Sequence, residues 1–355
     1  MLNNILTILL IVFQTSVFGQ VLTQKLDSYL LTTAENKNKF NGTVLVAKNG
    51  QILLNKGYGY KNKIENIYND TSTIYQIGSI TKTFTSAIIL HLQEEKKLSL
   101  TDKITKYIAD YPNGDDITIE NLLTHTSGIF EYLESKEYAK ENFIKPISIN
   151  TLITFFKSQK RLFKSGEKFS YTNSGYILLA FIIEKITGKK YEQVVRDVIF
   201  EPLQMTHSGF DFRNLSDTNK ATNYDNISKK RLVSVPVFDS THAPGCGNIY
   251  STAMDLYKWD RALYKNEILS KSSLGKAYTP YKSKYGYGWF IDNSYGKFNV
   301  FHGGGTPGFH SHIQRFINDD ICIILLSNNA YSDLSEITNR LAAIIFNKPY
   351  ETLYY

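Results

Sequence analysis

Thr43-Val-Leu-Val-Ala-Lys48, then Asn49-Gly50, then Gln51-Ile-Leu-Leu54 reads as two β-strands folded back on each other. The flanking residues are mostly aliphatic, and Asn-Gly accepts the left-handed backbone that a two-residue hairpin turn demands. A second hairpin is written near the other end of the chain. His310-Ser-His-Ile-Gln-Arg-Phe316 leads through a turn at Asn318-Asp319-Asp320 into Ile321-Cys-Ile-Ile-Leu-Leu326, and Tyr287-Gly-Trp-Phe-Ile291 and Phe298-Asn-Val-Phe301 precede it. Both chain ends therefore supply antiparallel strands.

Between these ends the apolar period moves toward 3.6, over Ser79–Gln93, Asn150–Phe156, Ser174–Lys185 and Tyr191–Ile199. Thr187-Gly188 closes one helix and Glu201-Pro202 ends another, while Leu334–Phe346 follows the last strand and is expected to cover one face of the sheet. The expected class is α+β: an antiparallel sheet from both chain ends, flanked by helices, with a mainly helical region inserted. In residue numbers the sheet part is expected over 20–105 and 270–355, and the helical part over 106–269. The cleft between two such parts is where a site is expected.

The chain has 355 residues, enough for one or two domains with a sizeable core, and its 42% apolar and 21% charged content is that of a soluble globular protein. A net charge of +7 raises the question of nucleic acid, but the lysines are dispersed among acids, so a solvated basic surface is expected and no nucleic-acid partner. Residues 1–19 read as a signal peptide: the apolar run ends at Phe13, well short of the roughly 20 residues a membrane helix needs, and Val17 and Gly19 stand where signal peptidases require small residues. The expectation is a secreted or periplasmic protein that begins near Gln20, with no stable membrane span. Cys246 and Cys322 are too few for a disulfide framework; a bridge and two buried thiols both remain open.

Three short elements carry chemistry. Gly78-Ser79-Ile80-Thr81-Lys82 opens a helix, so Ser79 and Lys82 share a face. A serine hydroxyl needs a neighbouring base, and a lysine one turn on serves once burial lowers its pKa. The amide of Ser79 at the helix start is placed to stabilise an oxyanion. Ser170-Tyr171-Thr172-Asn173 offers a phenol for proton relay, as a phenolate or as a neutral donor, and an amide for a substrate carbonyl. Phe301-His302-Gly303-Gly304-Gly305-Thr306-Pro307-Gly308 interrupts two strands, and its glycines let another backbone or a ligand approach a strand edge. Taken singly, each has an ordinary reading: a helix cap with a solvated lysine, one of 25 tyrosines, and a glycine turn with a histidine.

Together and in this order, Ser-x-x-Lys, Tyr-x-Asn and His-Gly-Gly resemble the β-lactamase-related serine hydrolases. Leu122-Leu-Thr-His125-Thr-Ser127-Gly128-Ile129, the stretches Phe169–Leu179 and Pro202–Met205, Gly247–Leu256 and Tyr285-Gly-Tyr-Gly-Trp289 are similar to other segments of that family, and the similarity runs from about Phe40 to Leu326. The resemblance implies a β-lactamase/transpeptidase-like fold, with Ser79 as nucleophile, Lys82 as its activating partner and Tyr171 as general base and acid. It further implies that Asn173, His302, Gly303, Gly304 and Gly305 bind substrate, and that His125 is structural. No cofactor is implied. His302, His310 and His312 lack the carboxylate or cysteine spacing of a metal site, and no metal is expected.

One departure bears on substrate. His302 stands where β-lactamases of the family carry the lysine of Lys-Thr-Gly, and a histidine is often neutral at pH 7. The expected activity is therefore acyl-enzyme hydrolysis of a peptide or amide, of the D-alanyl-D-alanine carboxypeptidase or D-amino-acid peptidase kind. Its alternatives are a carboxylesterase, a weak class C-like β-lactamase, or a penicillin-binding sensor. The expected partner is a small-molecule or peptide substrate, including cell-wall peptide or ester.

Overall fold

The computed structural model describes residues 2–35, 39–136, 138, 143–227, 232 and 234–350, with side chains from residue 19 onward. The side chains of the expected signal peptide up to residue 18 thus lie outside the described residues. Nine α-helices are described: α1 (Leu2–Glu35), α2 (Thr81–Glu94), α3 (Ile119–Leu123), α4 (Ile149–Lys157), α5 (Asn173–Thr187), α6 (Tyr191–Val195), α7 (Ala253–Lys265), α8 (Lys271–Ala277) and α9 (Leu334–Phe346). The strands are β1 (Gly42–Lys48), β2 (Gln51–Tyr58), β3 (Tyr60–Asn62), β4 (Ile67–Tyr68), β5 (Tyr75–Gln76), β6 (Tyr250–Ser251), β7 (Phe290–Ser294), β8 (Lys297–Thr306), β9 (Phe309–Phe316) and β10 (Ile321–Ser327).

Six of these form one antiparallel sheet in the order β2-β1-β10-β9-β8-β7, so the first hairpin docks beside the last strand of the chain. Asn49 and Gly50 both take positive φ, as the hairpin turn requires. The register pairs Val44 with Leu325 and Val46 with Ile323. Alternation then sorts the strands by face. Val44, Val46, Ile321, Ile323 and Leu325 meet Leu22, Leu26 and Leu30 of α1 and Leu334, Ile337 and Leu341 of α9. Leu45, Ala47, Cys322, Ile324 and Leu326 belong to the larger core on the opposite face, with Phe84, Ile88 and Trp259.

Two expectations need correction. The expected strand at Tyr287–Ile291 begins only at Phe290, because Gly288 takes positive φ and breaks the extended run. The glycines after His302 do not interrupt the strands: β8 runs through Gly303–Gly305 to Thr306, and the turn falls at Pro307-Gly308. In addition, α7, inside the stretch expected to be helical insert, packs on β1 and β10 and completes the sheet layer.

Helix α2 occupies the middle of the molecule, against α5, α6 and α8, and its residues from Thr81 to Leu90 are all buried. A helix buried on every side is apolar or satisfies its polar groups internally. Here Thr85 Oγ1 donates to Gly245 O at 2.6 Å and Trp259 stacks on Phe84 at 4.6 Å between ring centroids. Both cysteines are buried and free.

The docking of α1 has a measurable consequence. Leu26 is 0% exposed and Leu31 40% exposed on the same helix. Leu26→Ala is expected to lower unfolding free energy by about 2–5 kcal/mol, and Leu31→Ala by less than about 0.5 kcal/mol, read by urea denaturation; equal effects would mean that α1 does not seal the sheet.

Candidate active site

Gly78 takes positive φ and starts a short 3-10 turn, Gly78–Ile80, that leads into α2. Strand β8 passes directly over this turn. A Cβ at Gly78 would lie 2.7 Å from Gly305 N, and a Cβ at Gly304 would lie 2.0 Å from Ile77 O and 2.9 Å from Ser79 N. Ser311 on β9 fastens the contact by donating from Oγ to Ile77 O at 2.7 Å. Of the three consecutive glycines only Gly304 is sterically obligatory; Cβ atoms at Gly303 and Gly305 would meet nothing closer than 3.6 Å.

Beyond Phe301, β8 has lost its partner β7, which pairs only with Lys297–Phe301, while β9 continues to pair on the other side as far as Thr306. The edge formed by Gly303–Gly305 therefore faces the cleft beside Ser79. Amides at a helix start have no acceptor within the helix. Ser79 at the helix start and Gly305 on the strand edge thus line the same cleft from two closely packed elements, an arrangement that can serve an oxyanion.

Lys82 lies one turn beyond Ser79 and is 0% exposed. Its three N–H donors are all engaged: Nζ is 3.0 Å from Ser79 Oγ, 2.7 Å from Asn173 Oδ1 and 2.9 Å from Cys246 O. Burial lowers its pKa to about 8, against the opposing pull of negative charge nearby. Burial also pushes the Cys246 thiol up to about 12, so it is uncharged at neutral pH and the opposing charge is the carboxylate of Glu131. On losing one proton, Lys82 keeps donors for Asn173 and Cys246 and turns its lone pair toward Ser79.

Tyr171 packs with its ring centroid 4.8 Å from Lys82 Nζ. Burial raises its pKa far above that of a free phenol, with a hydrogen bond to Ser79 as the opposing influence. The phenol is neutral, which favours a proton donor and relay over a phenolate base. His125 fixes the segment that carries it: His125 Nδ1 accepts from Thr172 N at 3.1 Å, its carbonyl accepts from Ser170 N at 2.9 Å, and its ring lies 4.2 Å from that of Tyr171. Burial, then the positive charge on Lys82, holds the His125 pKa well below the usual range, so the ring is neutral and takes no part as a base toward Ser79.

His302 lines the cleft beside Ser79. It is 1% exposed; Nδ1 is 2.6 Å from Gly303 O and Nε2 is 3.1 Å from Tyr285 Oη. A carbonyl only accepts, so Nδ1 carries the proton and Nε2 accepts from the tyrosine. Burial, with the charge on Lys82, lowers its pKa to about 3. Both nitrogens are committed and the ring is uncharged, so His302 presents no cation to the cleft that it lines beside Ser79. Its side chain positions Tyr285, whose ring meets that of Tyr171 edge-on at 6.2 Å.

Sequence reasoning missed Glu131. Its carboxylate accepts from the backbone N of Asn173 at 2.5 Å and from Asn173 Nδ2 at 3.4 Å, at the N-terminus of α5 where negative charge is favoured. The residue lies two positions past the Ser127-Gly128-Ile129 stretch, and an acidic residue so near that stretch was the available signal.

The fold and this constellation define a serine hydrolase of the penicillin-recognising type. The Beta-lactamase family profile matches residues 28–346, and the chain belongs to that family. Penicillin-binding protein PbpX of Bacillus subtilis is 32% identical over 327 residues, covering 91% of this chain and 78% of its own. The octameric penicillin-binding protein homologue from Pyrococcus abyssi superposes with a TM-score of 0.83 at 29% identity, covering 93% of this chain and 78% of its own. The D-amino acid amidase from Ochrobactrum anthropi shares the fold at a TM-score of 0.81 and 21% identity, covering 92% of this chain and 99% of its own.

The glycine contacts yield a paired expectation. Gly304→Ala should cost about 1–3 kcal/mol of stability through overpacking and displace β8 from Ser79, with severe loss of activity. Gly305→Ala should leave the melting temperature nearly unchanged. Thermal melts of the two variants decide the matter, and equal melts would show that β8 does not rest on the Ser79 turn.

Proposed function

We propose that the protein hydrolyses amide acyl donors through a covalent acyl-enzyme on Ser79. The observation that carries this reading is the Lys82 amine, 3.0 Å from Ser79 Oγ and tuned by burial to a pKa of about 8. Neutral Lys82 accepts the Ser79 proton as Oγ attacks the carbonyl carbon. The tetrahedral oxyanion rests on the N–H groups of Ser79 and Gly305. As the C–N bond breaks, the Tyr171 phenol gives its proton to the leaving nitrogen and regains one from the Lys82 ammonium. A water then attacks the acyl ester, its proton passing to the same pair, and Ser79 leaves with a proton.

A neutral phenol kept as donor matters most for an amine, which leaves poorly without a proton; this favours an amide over an ester. The leaving-group side is walled by Phe290, Phe301 and neutral His302 and His312, and its Lys284 pairs with Asp292 at 2.8 Å. That wall suits a leaving group without a carboxylate. A D-amino-acid peptidase or amidase type of substrate is therefore favoured over a D-alanyl-D-alanine carboxypeptidase type, and efficient β-lactamase activity is not expected. The carboxylesterase reading keeps one support, since the same wall accepts a neutral ester.

The test is a panel of p-nitroanilides, a p-nitrophenyl ester, a D-Ala-D-Ala peptide with its C-terminal amide, and nitrocefin. For the best amide, kcat/KM should rise about tenfold per pH unit and level off near pH 8, because Lys82 acts only when deprotonated. The D-Ala-D-Ala peptide should bind no better than its amide. Ser79→Ala should abolish fluorophosphonate labelling and lower kcat on the order of ten-thousandfold. Labelling that survives in Ser79→Ala would place the nucleophile elsewhere.

We propose also that the protein is exported and cleaved after Gly19. In support, residues just past that point belong to the packed fold: Leu22 is buried, and Thr23 Oγ1 donates to Leu53 O at 2.9 Å. No helix among the described residues is long and apolar enough to cross a membrane. Intact mass of the exported protein should correspond to a start at Gln20; a product retaining residues 1–19 would refute cleavage.

A further inference from the structure

Successive positions of β8 face opposite sides of the sheet, and the two sides lead to different places. A side chain at Gly304 would point at Ile77 O and Ser79 N, whereas a Cβ at Gly303 would lie 3.7 Å from His312 Nδ1 and one at Gly305 would lie 3.8 Å from His310 Nε2. His310 and His312 thus stand on the face of the sheet that α9 covers, across the strand from Ser79. No side chain rises from Gly303–Gly305 to separate the two faces. The cleft beside Ser79 runs over this edge, with Ser79 and Tyr171 at one end and His312 and Ser335 at the other, and holds about 790 Å³. A second hollow shares the glycines, His312 and Ser335 and carries the passage on to His310 and Asp333.

The polar groups at the far end offer lone pairs. His312 is 7% exposed and stacks on Phe301 at 5.7 Å between ring centroids, and among the described residues neither of its ring nitrogens has a hydrogen-bond partner. Burial holds its pKa at about 4, so the ring is uncharged and one nitrogen is an acceptor. His310 Nδ1 donates to Ser332 O at 3.1 Å, which leaves Nε2 of the neutral ring as an acceptor beside Gly305. Among the described residues Asp333 is the only carboxylate, and no lysine or arginine, lining the second hollow.

Asp333 caps α9 by accepting from Glu336 N at 3.0 Å, which meets the attraction of that helix start for negative charge and leaves lone pairs on the carboxylate. Lys39 and Arg340 line a separate groove that also touches Asp333. Arg340 pairs with Glu336 at 3.3 Å, and no ion pair among the described residues includes Asp333. A carboxylate with neutral acceptors beside it repels an anion and matches a cation that carries several N–H donors.

We infer that the cleft continues from Ser79 across the glycine edge of β8 into a subsite of Asp333, His310 and His312, which receives the ammonium at the end of a long side chain on the leaving group. The favoured substrate is then an amide whose released part is a lysine-like residue with its own carboxyl blocked. This rests on the reading of Ser79 as nucleophile and of this side of the cleft as the leaving-group side.

The experiment compares D-Ala-Lys-NH2 with D-Ala-norleucine-NH2, in whichever enantiomer of the second residue the protein turns over faster. The side chains differ in the terminal ammonium. The kcat/KM ratio of lysine over norleucine should be at least about fivefold at low salt and fall as salt is added. Asp333→Asn keeps a helix-capping side chain and should bring the ratio toward one. D-Ala-2,3-diaminopropionic acid amide, whose ammonium sits close to the backbone, should gain nothing over D-Ala-Ala-NH2. The same subsite is read without turnover by adding lysinamide or norleucinamide to fluorophosphonate labelling of Ser79, which lysinamide should slow at the lower concentration. Labelling with no lysine preference in either assay overturns the subsite alone, and so does a preference that survives Asp333→Asn. Protection by lysinamide without turnover of any dipeptide amide upholds the subsite and overturns the amide reading. Absence of labelling overturns the Ser79 reading and the subsite with it.

Discussion

An ammonium group cannot be taken out of water unless its donors are met, and the centre of this protein is built around meeting those of Lys82. Burying such an ion costs several kcal/mol before compensation. The compensation comes from three separate stretches of chain: Ser79 one turn back, Asn173 at the head of α5, and the carbonyl of Cys246. The sheet layer and the helical region are thereby held to one another at the point where the cleft forms between them. The same burial that makes those contacts necessary also weakens the hold of Lys82 on its proton, so the structural constraint and the chemical property share one cause.

Around that lysine the other titratable groups are kept neutral. His125 and His302 are buried among aromatic rings and hold their protons only at acidities where Lys82 is fully charged. Tyr171 and Tyr285 stay protonated for the converse reason, that burial disfavours a phenolate. What is left at the site among the described residues is one cation and one carboxylate, Lys82 and Glu131, joined through the amide of Asn173. A histidine in place of a lysine at position 302 fits this economy of charge: two buried ammonium groups close together would each destabilise the other, whereas a neutral ring donates to Gly303 and accepts from Tyr285 without adding charge.

The backbone contributes a second, purely steric constraint. Strand β8 and the turn before α2 approach so closely that neither Gly78 nor Gly304 has room for a side chain. Close approach brings two backbone segments from residues over 200 positions apart to one side of Ser79, and the loss of β7 as a neighbour beyond Phe301 opens that edge to the cleft.

The sequence alone determined whatever depends on local conformation. Asn49-Gly50 specified its hairpin because few residues tolerate positive φ twice in succession, Leu334–Phe346 appeared as a helix with the bounds expected, and the spacing of Ser79 and Lys82 placed both on one helical face. The ordered set of Ser79, Lys82, Tyr171, Asn173 and His302 was legible as a set, and the structure brings those residues together. Only the tertiary structure decided how each is used. That β8 continues through its glycines, that α2 is enclosed on every side, that His302 bonds to Tyr285, and that Glu131 stands beside Asn173 all follow from contacts between distant segments. Proton affinity and access to the cleft are set by burial and by neighbours, and burial belongs to the packed fold and not to any residue or its spacing along the chain.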